Sequence, residues 1–525
     1  MTSILTNNSA MVALQTLNSI NKDLTGIQSQ ISTGKKVGSA KDNAAVWAIS
    51  AVMESDVKGF KAISESLSLG ASTVALGRQA AERTEDLLKE IKGKIVSAQE
   101  ENVPRDKLQA DIDGLVEQIT SVVGTAQFNG KNLVNNFDET NVLSSLDRAS
   151  DGSVTAGQIS FRGQSLTDDS GTLETANAID RIGSVADDGT YTVGAGATLD
   201  SAGVEATLTV ANDLLVGETL TIDFADEQFV FTNNTGGDLD ADALDDIVAA
   251  GIAALGVEGV TTAAAGAGVV EITSTNKFDS ITIQGSSSGT TTVDIDPDAG
   301  GALGAAGPGV AATMVARAET LSLGGGAGNI GGAVSEGDGF RVSLDGQDFD
   351  YVAKEGDTLN DVALGLKRVI DAGGLEGISV KVNTSNDPVG TPPTIQIDND
   401  NAATVALTVD DGSGGQASGG LVGLSGIDVS TQEGAERALA NIESLIQTAI
   451  DSAAEFGSVE GRIDIQAEFV SNLTDAFTSG IGALVDANLE EASARLQALQ
   501  VQQQLGIQAL SIANQAPQSV LSLFR

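Results

Sequence analysis

The chain has 525 residues, of which 28 are basic and 72 acidic, so its formal net charge is −44. A polyanion of this kind repels nucleic acid and anionic membrane surfaces, and neither is expected as a partner. The chain contains neither Cys nor His, which excludes thiolate nucleophiles, imidazole bases and the commonest zinc ligands. We therefore expect no enzyme and no cofactor or metal site.

The sequence contains no run of about 20 apolar residues, so no segment is expected to insert into a membrane. The N-terminal stretch MTSILTNNSAMVAL lacks the basic start and the apolar core of a secretory signal peptide. By these rules alone the chain would be cytoplasmic.

The first predicted element is a helix with apolar residues at seven-residue intervals. One frame contains Ala10, Leu17, Leu24 and Ile31, and Ala13, Ile20 and Ile27 occupy a second frame three residues later. This spacing is typical of a helix that packs along another helix. The pattern is expected to break within residues 31–45, where Gly34 and Gly38 interrupt it and Ser39 to Asp42 offer caps for the next helix.

The second predicted element is a long helix. Its seven-residue frame consists of Val46, Met53, Phe60, Leu67, Val74, Ala81, Leu88 and Ile95. Ile49, Ile63, Ile91 and Ala98 extend this stripe, and Asp56, Gly70, Gly77 and Thr84 interrupt it. Such a helix is roughly 75 Å long and cannot fold back into a compact globule. It is expected to end before Pro104, and Trp47 is expected to pack in a core.

A third helix and a hairpin are predicted next. Leu108, Ile112, Leu115, Ile119 and Val122 have helical spacing. The sequence Phe128-Asn129-Gly130 favours a left-handed turn after this helix, and residues 142–146 and 158–162 are predicted to pair as a hairpin.

Residues 170–427 are rich in Gly, Ala, Thr, Ser and Asp and hold only eight of the 28 basic residues. Within them, GETLTIDFADEQFVF (217–231) matches GDGFRVSLDGQDFDY (337–351) at an offset of 120. Each copy alternates apolar and polar residues around a turn and is followed by an amphipathic helix, at 238–255 or 357–373, and then by further strands. The repeats, near 217–283 and 337–409, predict two duplicated ββαββ modules. The segment 294–300 begins like a calcium loop, but Gly300 comes one place late, so an acidic turn is expected.

Helical sequence returns at Gln432 and continues to the end, with predicted interruptions at 456–460 and 480–482. Near the C-terminus Leu489, Leu496 and Leu510 share one frame, and Ala492, Leu499 and Ala513 share the other. Gln503 and Gly506 break this stripe, and close packing is expected at Gly506. Stripes at both ends predict that the ends pair with each other and with copies of themselves.

These elements define the expected fold class. It is α+β and multidomain: a long, coiled-coil-like helical bundle formed by both chain ends, with inserted β-rich domains that contain two ββαββ-like repeats.

Three stretches of the sequence resemble the bacterial flagellins, particularly those of alphaproteobacteria. They are ALQTLNSINKDLTGIQSQISTGKKVGSAKDNAA (13–45), AQFNGKNL (126–133) and the last 38 residues from NLEEASARLQ onward (488–525). The resemblance implies an inner domain formed by 1–42 with 482–525, a long-helix domain formed by 43–170 with 428–481, and a variable outer insert at 171–427. It also implies self-assembly of these helices into an extracellular filament for swimming, with hook-junction and cap proteins as further partners.

The resemblance also implies export by the flagellar type III apparatus, aided by an export chaperone, which would explain an extracellular protein without a signal peptide. The alternatives are a hook–filament junction protein, which shares the terminal helices, and an adhesin displayed through the insert. A metallopeptidase insert needs HExxH and is excluded because the chain has no His. Glu90 and Lys94 stand where flagellins recognised by an animal toll-like receptor carry Arg and Leu, so we expect weak recognition.

Overall fold

The computed structural model describes residues 7–149, 153–185, 191–193, 197–199, 201–297, 309, 311–324, 334–384 and 392–522. Contacts along the chain divide the protein into two compact units. One contains the residues up to Ala75, Glu139–Arg162 and the residues from Phe456 onward, and the other contains Leu76–Asp138 and Gly163–Glu455.

Within the described residues, the helices are α1 (Asn8–Thr33), α2 (Ala44–Ala98), α3 (Arg105–Thr125), α4 (Ala241–Leu255), α5 (Leu359–Ala372), α6 (Gln432–Val485) and α7 (Leu489–Ser522). The strands before α4 are β1 (Gln127–Phe128), β2 (Lys131–Asn132), β3 (Glu139–Arg148), β4 (Val154–Arg162), β5 (Ile182–Val185), β6 (Tyr191–Val193), β7 (Ala197–Leu199), β8 (Val204–Ala211), β9 (Thr219–Phe224) and β10 (Glu227–Thr232). The later strands are β11 (Val260–Gly266), β12 (Val269–Ser274), β13 (Ile281–Ser287), β14 (Thr292–Asp296), β15 (Ala312–Met314), β16 (Glu319–Leu323), β17 (Gly339–Leu344), β18 (Gln347–Val352), β19 (Ile378–Asn383), β20 (Thr394–Asn399) and β21 (Val405–Gly412). The predicted α+β class is therefore confirmed.

The long helix α2 is continuous over 55 residues, as predicted. Its cap differs from the expected one. The carboxylate of Asp42 accepts hydrogen bonds from the backbone N–H groups of Gly38 and Ser39 and so closes the preceding loop. The side chain of Asn43 instead accepts from the N–H of Val46. The prediction that Ser39 to Asp42 cap α2 was wrong by one residue, because Asp42 is engaged by the loop.

The predicted interruptions of the C-terminal helical region were wrong. The helix α6 runs without a break through Phe456–Glu460, where the Phe456 side chain is fully buried, and through Gly480 and Gly482. A glycine inside a helix costs only about 1 kcal/mol, which packing can offset. The break occurs at residues 486–488, where the side chain of Asn488 accepts hydrogen bonds from the N–H groups of Glu490 and Glu491 and so begins α7.

The predicted β3–β4 hairpin is confirmed, and it packs on α2 at two glycines. The Leu146 side chain covers Gly59, and the Val142 side chain covers Gly70. Since residue numbers rise along α2 as they fall along β3, the strand runs antiparallel to the helix. The register of the hairpin shifts between Leu143 and Ser145. The carbonyl of Ser144, at this irregularity, accepts a hydrogen bond of 2.8 Å from Nε2 of Gln466 in α6.

We expect Gly70→Ala to loosen this hairpin and Gly59→Ala to leave it in place. A Cβ at position 70 would lie 2.6 Å from Cγ2 and 2.8 Å from Cγ1 of Val142, a β-branched side chain with little rotamer freedom. Overpacking of this kind costs about 1–3 kcal/mol. At position 59 the close atom is only the flexible end of Leu146, at 2.8 Å.

Hydrogen exchange of the backbone amides in residues 139–162 measures this difference. Faster exchange in Gly70→Ala than in Gly59→Ala is the expected result. Equal exchange in the two variants would contradict the packing argument, because both changes raise helix propensity by the same amount.

In the second unit, α3 follows α2 after a break at Pro104, and it ends before a tight turn in which Asn129 and Gly130 have φ values of 50° and 80°. This is the left-handed turn that the sequence predicts, and β1 and β2 flank it. Gln109 of α3 accepts a hydrogen bond from the N–H of Val429 and donates one to the carbonyl of Ile427, which fixes the chain entering α6.

The inserted repeats form two modules, and the predicted ββαββ order is confirmed in both. In the first module the hairpin β9–β10 precedes α4, and β11 and β12 follow it. In the second module the hairpin β17–β18 precedes α5, and β19 and β20 follow it. The side chains of Asp240 and Thr358 cap the two helices.

The duplication extends further than the sequence pattern indicated. In the first module β8 precedes the hairpin and pairs with β12, and β13 follows β12 and pairs with β9. In the second module β16 precedes the hairpin and pairs with β20, and β21 follows β20 and pairs with β17. The sheet orders are β10-β9-β13-β15 and β11-β12-β8-β14 in the first module. In the second they are β18-β17-β21-β7 and β19-β20-β16-β5-β6. Each module thus encloses its own apolar core, with Phe224 at one centre and Phe340 at the other.

An arginine in the connection between β15 and β16 links the two modules. Nε and Nη2 of Arg317 donate to the two carboxylate oxygens of Asp398 at 2.8 and 2.7 Å. Nη2 also donates to Asp400, which in turn pairs with Lys277 of the first module. The Arg317 side chain is 8% exposed and that of Asp398 is fully buried. These hydrogen bonds raise the pKa of Arg317 above its ordinary value.

A second buried polar group lies inside the second module. The hydroxyl of Tyr351 donates to Oδ2 of Asp357 at 2.8 Å, and the N–H of Lys354 donates to the same oxygen at 3.1 Å. Burial nevertheless raises the pKa of Asp357 above its ordinary value of 3.8. The ionised carboxylate is therefore held in the folded protein at a cost in stability.

We expect Asp357→Asn to stabilise the second module at neutral pH, because the folded chain then no longer holds a buried carboxylate in its charged form. A carboxyl with a raised pKa binds its proton more tightly in the folded than in the unfolded state. The charged carboxylate therefore lowers the free energy of unfolding, and this loss is complete above the raised pKa. The penalty falls as the pH decreases through that value and is lost below 3.8. The amide oxygen of Asn can still accept from Tyr351.

Urea unfolding of the parent and variant chains across the acidic range measures the difference. Asp226→Asn, at an exposed turn of the first module, is the matched control and should show no such trend. A stability difference that does not change with pH would contradict the assignment.

The predicted domain boundaries stay predictions. Residues 42 and 427 fall in the loops before α2 and α6, whereas residue 481 falls inside α6. The expected acidic turn at 294–300 was wrong in its first part, since Asp294 to Asp296 belong to β14, and residues 298–300 lie outside the described residues. Across the described ranges no cluster of acidic residues has the geometry of a metal site.

Candidate self-assembly surface

The two terminal helices pair with each other, as the stripes predict. The side chain of Asn7 begins α1 by accepting from the N–H of Ala10, and its amide donates to the carbonyl of Ala513 at 2.7 Å. Gly34 ends α1 with a φ of 70°, a conformation that glycine adopts without strain. Its carbonyl accepts a hydrogen bond from the N–H of Ala487. The helices therefore run antiparallel, and both ends of the pair are held by hydrogen bonds.

The predicted stripes form the facing surfaces of the pair. The less exposed residues of α1 are Ala10, Ala13, Leu17, Ile20, Leu24, Ile27, Gln30 and Ile31, and those of α7 are Ala492, Leu496, Leu499, Gln503, Gly506, Leu510 and Ala513. Close packing occurs at Gly506, where a Cβ would lie 3.3 Å from Cδ1 of Leu17. Leu489 is the exception among the predicted residues, because its side chain is 52% exposed.

A second apolar surface of the terminal helices was missed in the sequence. Met11, Val12 and Leu14 of α1, and Val501, Leu505, Ile507 and Ile512 of α7, are all exposed, with Ile512 reaching 69%. They lie outside the seven-residue frames. They could have been found in the sequence as the apolar residues of both helices that do not belong to either seven-residue frame. A pair of helices with apolar side chains on both its inner and its outward faces fits contact with further helices.

The long helices of the same unit also carry exposed apolar residues. Ile49 and Val52 of α2, and Ile465 and Phe469 of α6, are exposed. Trp47 is 42% exposed and Ile49 is 55% exposed, so neither packs in a core within the single chain, and their packing against other helices stays a prediction. Successive helical residues are rotated by about 100°, so Trp47 points to the side of Val46, whereas Ile49 lies only about 60° from Val46, at the edge of the same face.

The main stripe of α2 lies where the sequence places it. Val46 and Met53 are half-buried, and Phe60, Leu67, Val74, Ala81, Leu88 and Ile95 are buried. In the first unit the ring of Phe60 meets that of Phe477 edge to face, with centroids 5.4 Å apart. The interrupting residues Gly70, Gly77 and Thr84 are buried as well, so small side chains there allow close approach.

The two predicted receptor positions are accessible to different extents. Glu90 is exposed on α2. Lys94 has its Nζ 2.6 Å from Oδ2 of Asp111 in α3, an ion pair that raises the pKa of the lysine.

Among the described residues, no helix is long and apolar enough to span a membrane.

The fold and this surface define a structural protein whose chain ends pair as helices and retain apolar faces for association. Residues 4–139 match the family model of the bacterial flagellin N-terminal helical region, and residues 439–524 match that of the C-terminal helical region. Flagellin A of Rhizobium meliloti is 31% identical, and Flagellin B of the same organism 30% identical, each over the whole of both chains. The chain belongs to the bacterial flagellin family, and it is a structural subunit of the flagellar filament.

Two further comparisons concern shorter or more distant matches. Flagellin FljM of Caulobacter vibrioides is 38% identical over 189 residues, which cover 35% of this chain and 68% of that protein. The flagellar hook associated protein-3 of Legionella pneumophila has a TM-score of 0.30 at 10% identity, covering 83% of this chain and 98% of that one. A likeness this low decides nothing about function, and the full-length flagellins favour the filament subunit over the junction protein.

Proposed function

We propose that the α1–α7 pair is the inner polymerisation surface of the filament subunit and that the exposed apolar residues of α2 and α6 contact neighbouring copies in a second layer. The observation that carries this proposal is the outward apolar face of the pair, which includes Met11 and Ile512. Covering such side chains stabilises association by roughly 25 cal/mol per Å² of apolar surface.

The terminal helices are weakly ordered in the free subunit and become rigid in the filament. Only Ile27 of α1, and only Ala492 among the residues of α7 whose burial the structure describes, are buried. A pair with so little buried surface cannot offset the conformational entropy of more than fifty ordered residues by itself. Ordering coupled to assembly prevents premature polymerisation and keeps the chain ends easy to thread through an export channel.

The mature protein is extracellular, and its further partners are the hook-junction and cap proteins, the export chaperone and the flagellar type III apparatus. Membership of the flagellin family supports these partners. The low content of basic residues in the inserted modules fits a surface that stays soluble at high local concentration.

Hydrogen exchange combined with electron microscopy tests the proposal. The purified protein is concentrated until it polymerises, and filaments are expected. Amides of α1 and α7 should exchange rapidly in the monomer and slowly in the filament, whereas amides of the module cores should exchange slowly in both. Filaments in which α1 and α7 still exchange rapidly would contradict the assignment of the inner surface.

A further inference from the structure

Two residues that interrupt the apolar stripe of α7 meet matching features of α1. Gln503 Nε2 donates a hydrogen bond of 2.7 Å to Oδ1 of Asn21. Gly506, about one turn further, leaves a space that Cδ1 of Leu17 fills, 3.3 Å from where a glycine Cβ would lie. Gln503 thus faces the side-chain amide of Asn21, and Gly506 faces the large side chain of Leu17.

These matches matter because the stripes alone do not define one alignment. Both helices repeat every seven residues, so a slide of one repeat, about 10.5 Å, returns apolar residues to apolar residues. A slide in one direction brings Gln503 beside Leu14 and Asn21 beside Leu496. A slide in the other direction carries Ala492 past the end of α1 at Thr33. In neither slide is the amide pair kept together with the complete seam.

We propose that Gln503 and Asn21 fix the register of the α1–α7 pair in the part remote from the bond between the Ala487 N–H and the Gly34 carbonyl, with the contact of Gly506 and Leu17 as the second determinant. Gln503 is half-buried and Asn21 is exposed, so their hydrogen bond lies at the edge of the seam, where it favours the alignment that keeps the two amides within reach. The inference rests on the proposed function, since a slipped pair would offset the outward apolar faces that neighbouring copies contact.

The register is measured with engineered thiols in the full-length chain, which has no Cys of its own. Asn7→Cys and Ala513→Cys form the reporter pair, because Nδ2 of Asn7 lies 2.7 Å from the Ala513 carbonyl oxygen. Intrachain crosslinking by a short bifunctional maleimide is compared in the monomer and in the polymer. Every variant in this experiment lacks the Asn7 cap, so its loss does not affect the comparison.

Adding Gln503→Leu is expected to lower the crosslinking yield several-fold. Gln504→Leu, at the exposed neighbouring position, is the matched control and should keep the yield of the reporter chain. The exchanged pair, Asn21→Gln with Gln503→Asn, retains two amides at the same place and should keep it too.

A Gln503→Leu chain that crosslinks like the reporter chain would overturn the inference, and so would an equal loss in Gln504→Leu. A reporter chain that fails to crosslink both as monomer and as polymer would overturn it as well. If the reporter chain crosslinks but the parent chain does not polymerise, the proposed function fails while the register assignment stands.

Discussion

Filament formation is expected to be lost when Leu496 and Leu499 are both replaced by Asp. Both leucines lie on the face of α7 that α1 covers. Two carboxylates placed on this seam lose hydration without gaining a partner, a penalty of several kcal/mol for groups that become fully covered. Deletion of residues 488–525 should have the same effect on polymerisation and leave the remainder folded.

The measurement is sedimentation and electron microscopy at a concentration at which the parent chain polymerises. The matched control is Gln497→Asp with Gln500→Asp, which adds the same charge at exposed positions of the same helix. Retained polymerisation in the control, with the circular dichroism of both variants close to that of the parent, attributes the loss to the seam. Filaments formed by the leucine variant would refute the assignment of α7 to the inner surface.

The largest expected loss of stability comes from Arg317→Met. Removing one partner of a buried ion pair costs about 3–5 kcal/mol, because the remaining charge is left without compensation. Asp398 would be that charge, since its side chain is fully buried and accepts two hydrogen bonds from Arg317. Because Asp400 and Lys277 belong to the same network, the two modules should also lose their fixed relationship.

Arg341→Met is the matched control for this prediction. Arg341 makes the same two-bond contact with a carboxylate, that of Asp350, at 2.6 and 2.7 Å. Its side chain is 26% exposed, however, so solvent screens the pair and the expected loss is about 1 kcal/mol or less. Urea unfolding followed by circular dichroism compares the two variants. Equal losses would mean that burial does not determine the strength of the Arg317 contact.

The sequence predicted the elements whose pattern is repeated many times. The stripe from Val46 to Ile95 spans seven repeats, and the duplicated hairpins support each other at a fixed offset, so these elements were found with nearly correct limits. The interruptions at 456–460 and 480–482 were wrong because the cost of glycine and polar residues inside a helix is small compared with the packing of residues such as Phe456.

The parts that could not be predicted depend on contacts between distant residues. Nothing near Arg317 in the sequence indicates Asp398, which lies 81 residues away. The strands β8 and β16 alternate apolar and polar residues, but their place in each module depends on the distant strands β12 and β20 with which they pair. The outward apolar residues of α1 and α7 were overlooked because a seven-residue frame describes only the face toward one partner, whereas a filament subunit needs several.

The loop from α1 to α2 and the loop from α6 to α7 lie side by side. They are joined by hydrogen bonds from the Lys36 N–H to the Val485 carbonyl and from the Ala487 N–H to the Gly34 carbonyl. A rod bends most easily where its cross-section holds the fewest unbroken elements, and here both helices are interrupted at the same level. Within one subunit we therefore expect bending to occur at these two loops. The backbone hydrogen bonds between the two loops would make α1 and α7 move together, so that the packing between these two helices is retained when the chain bends.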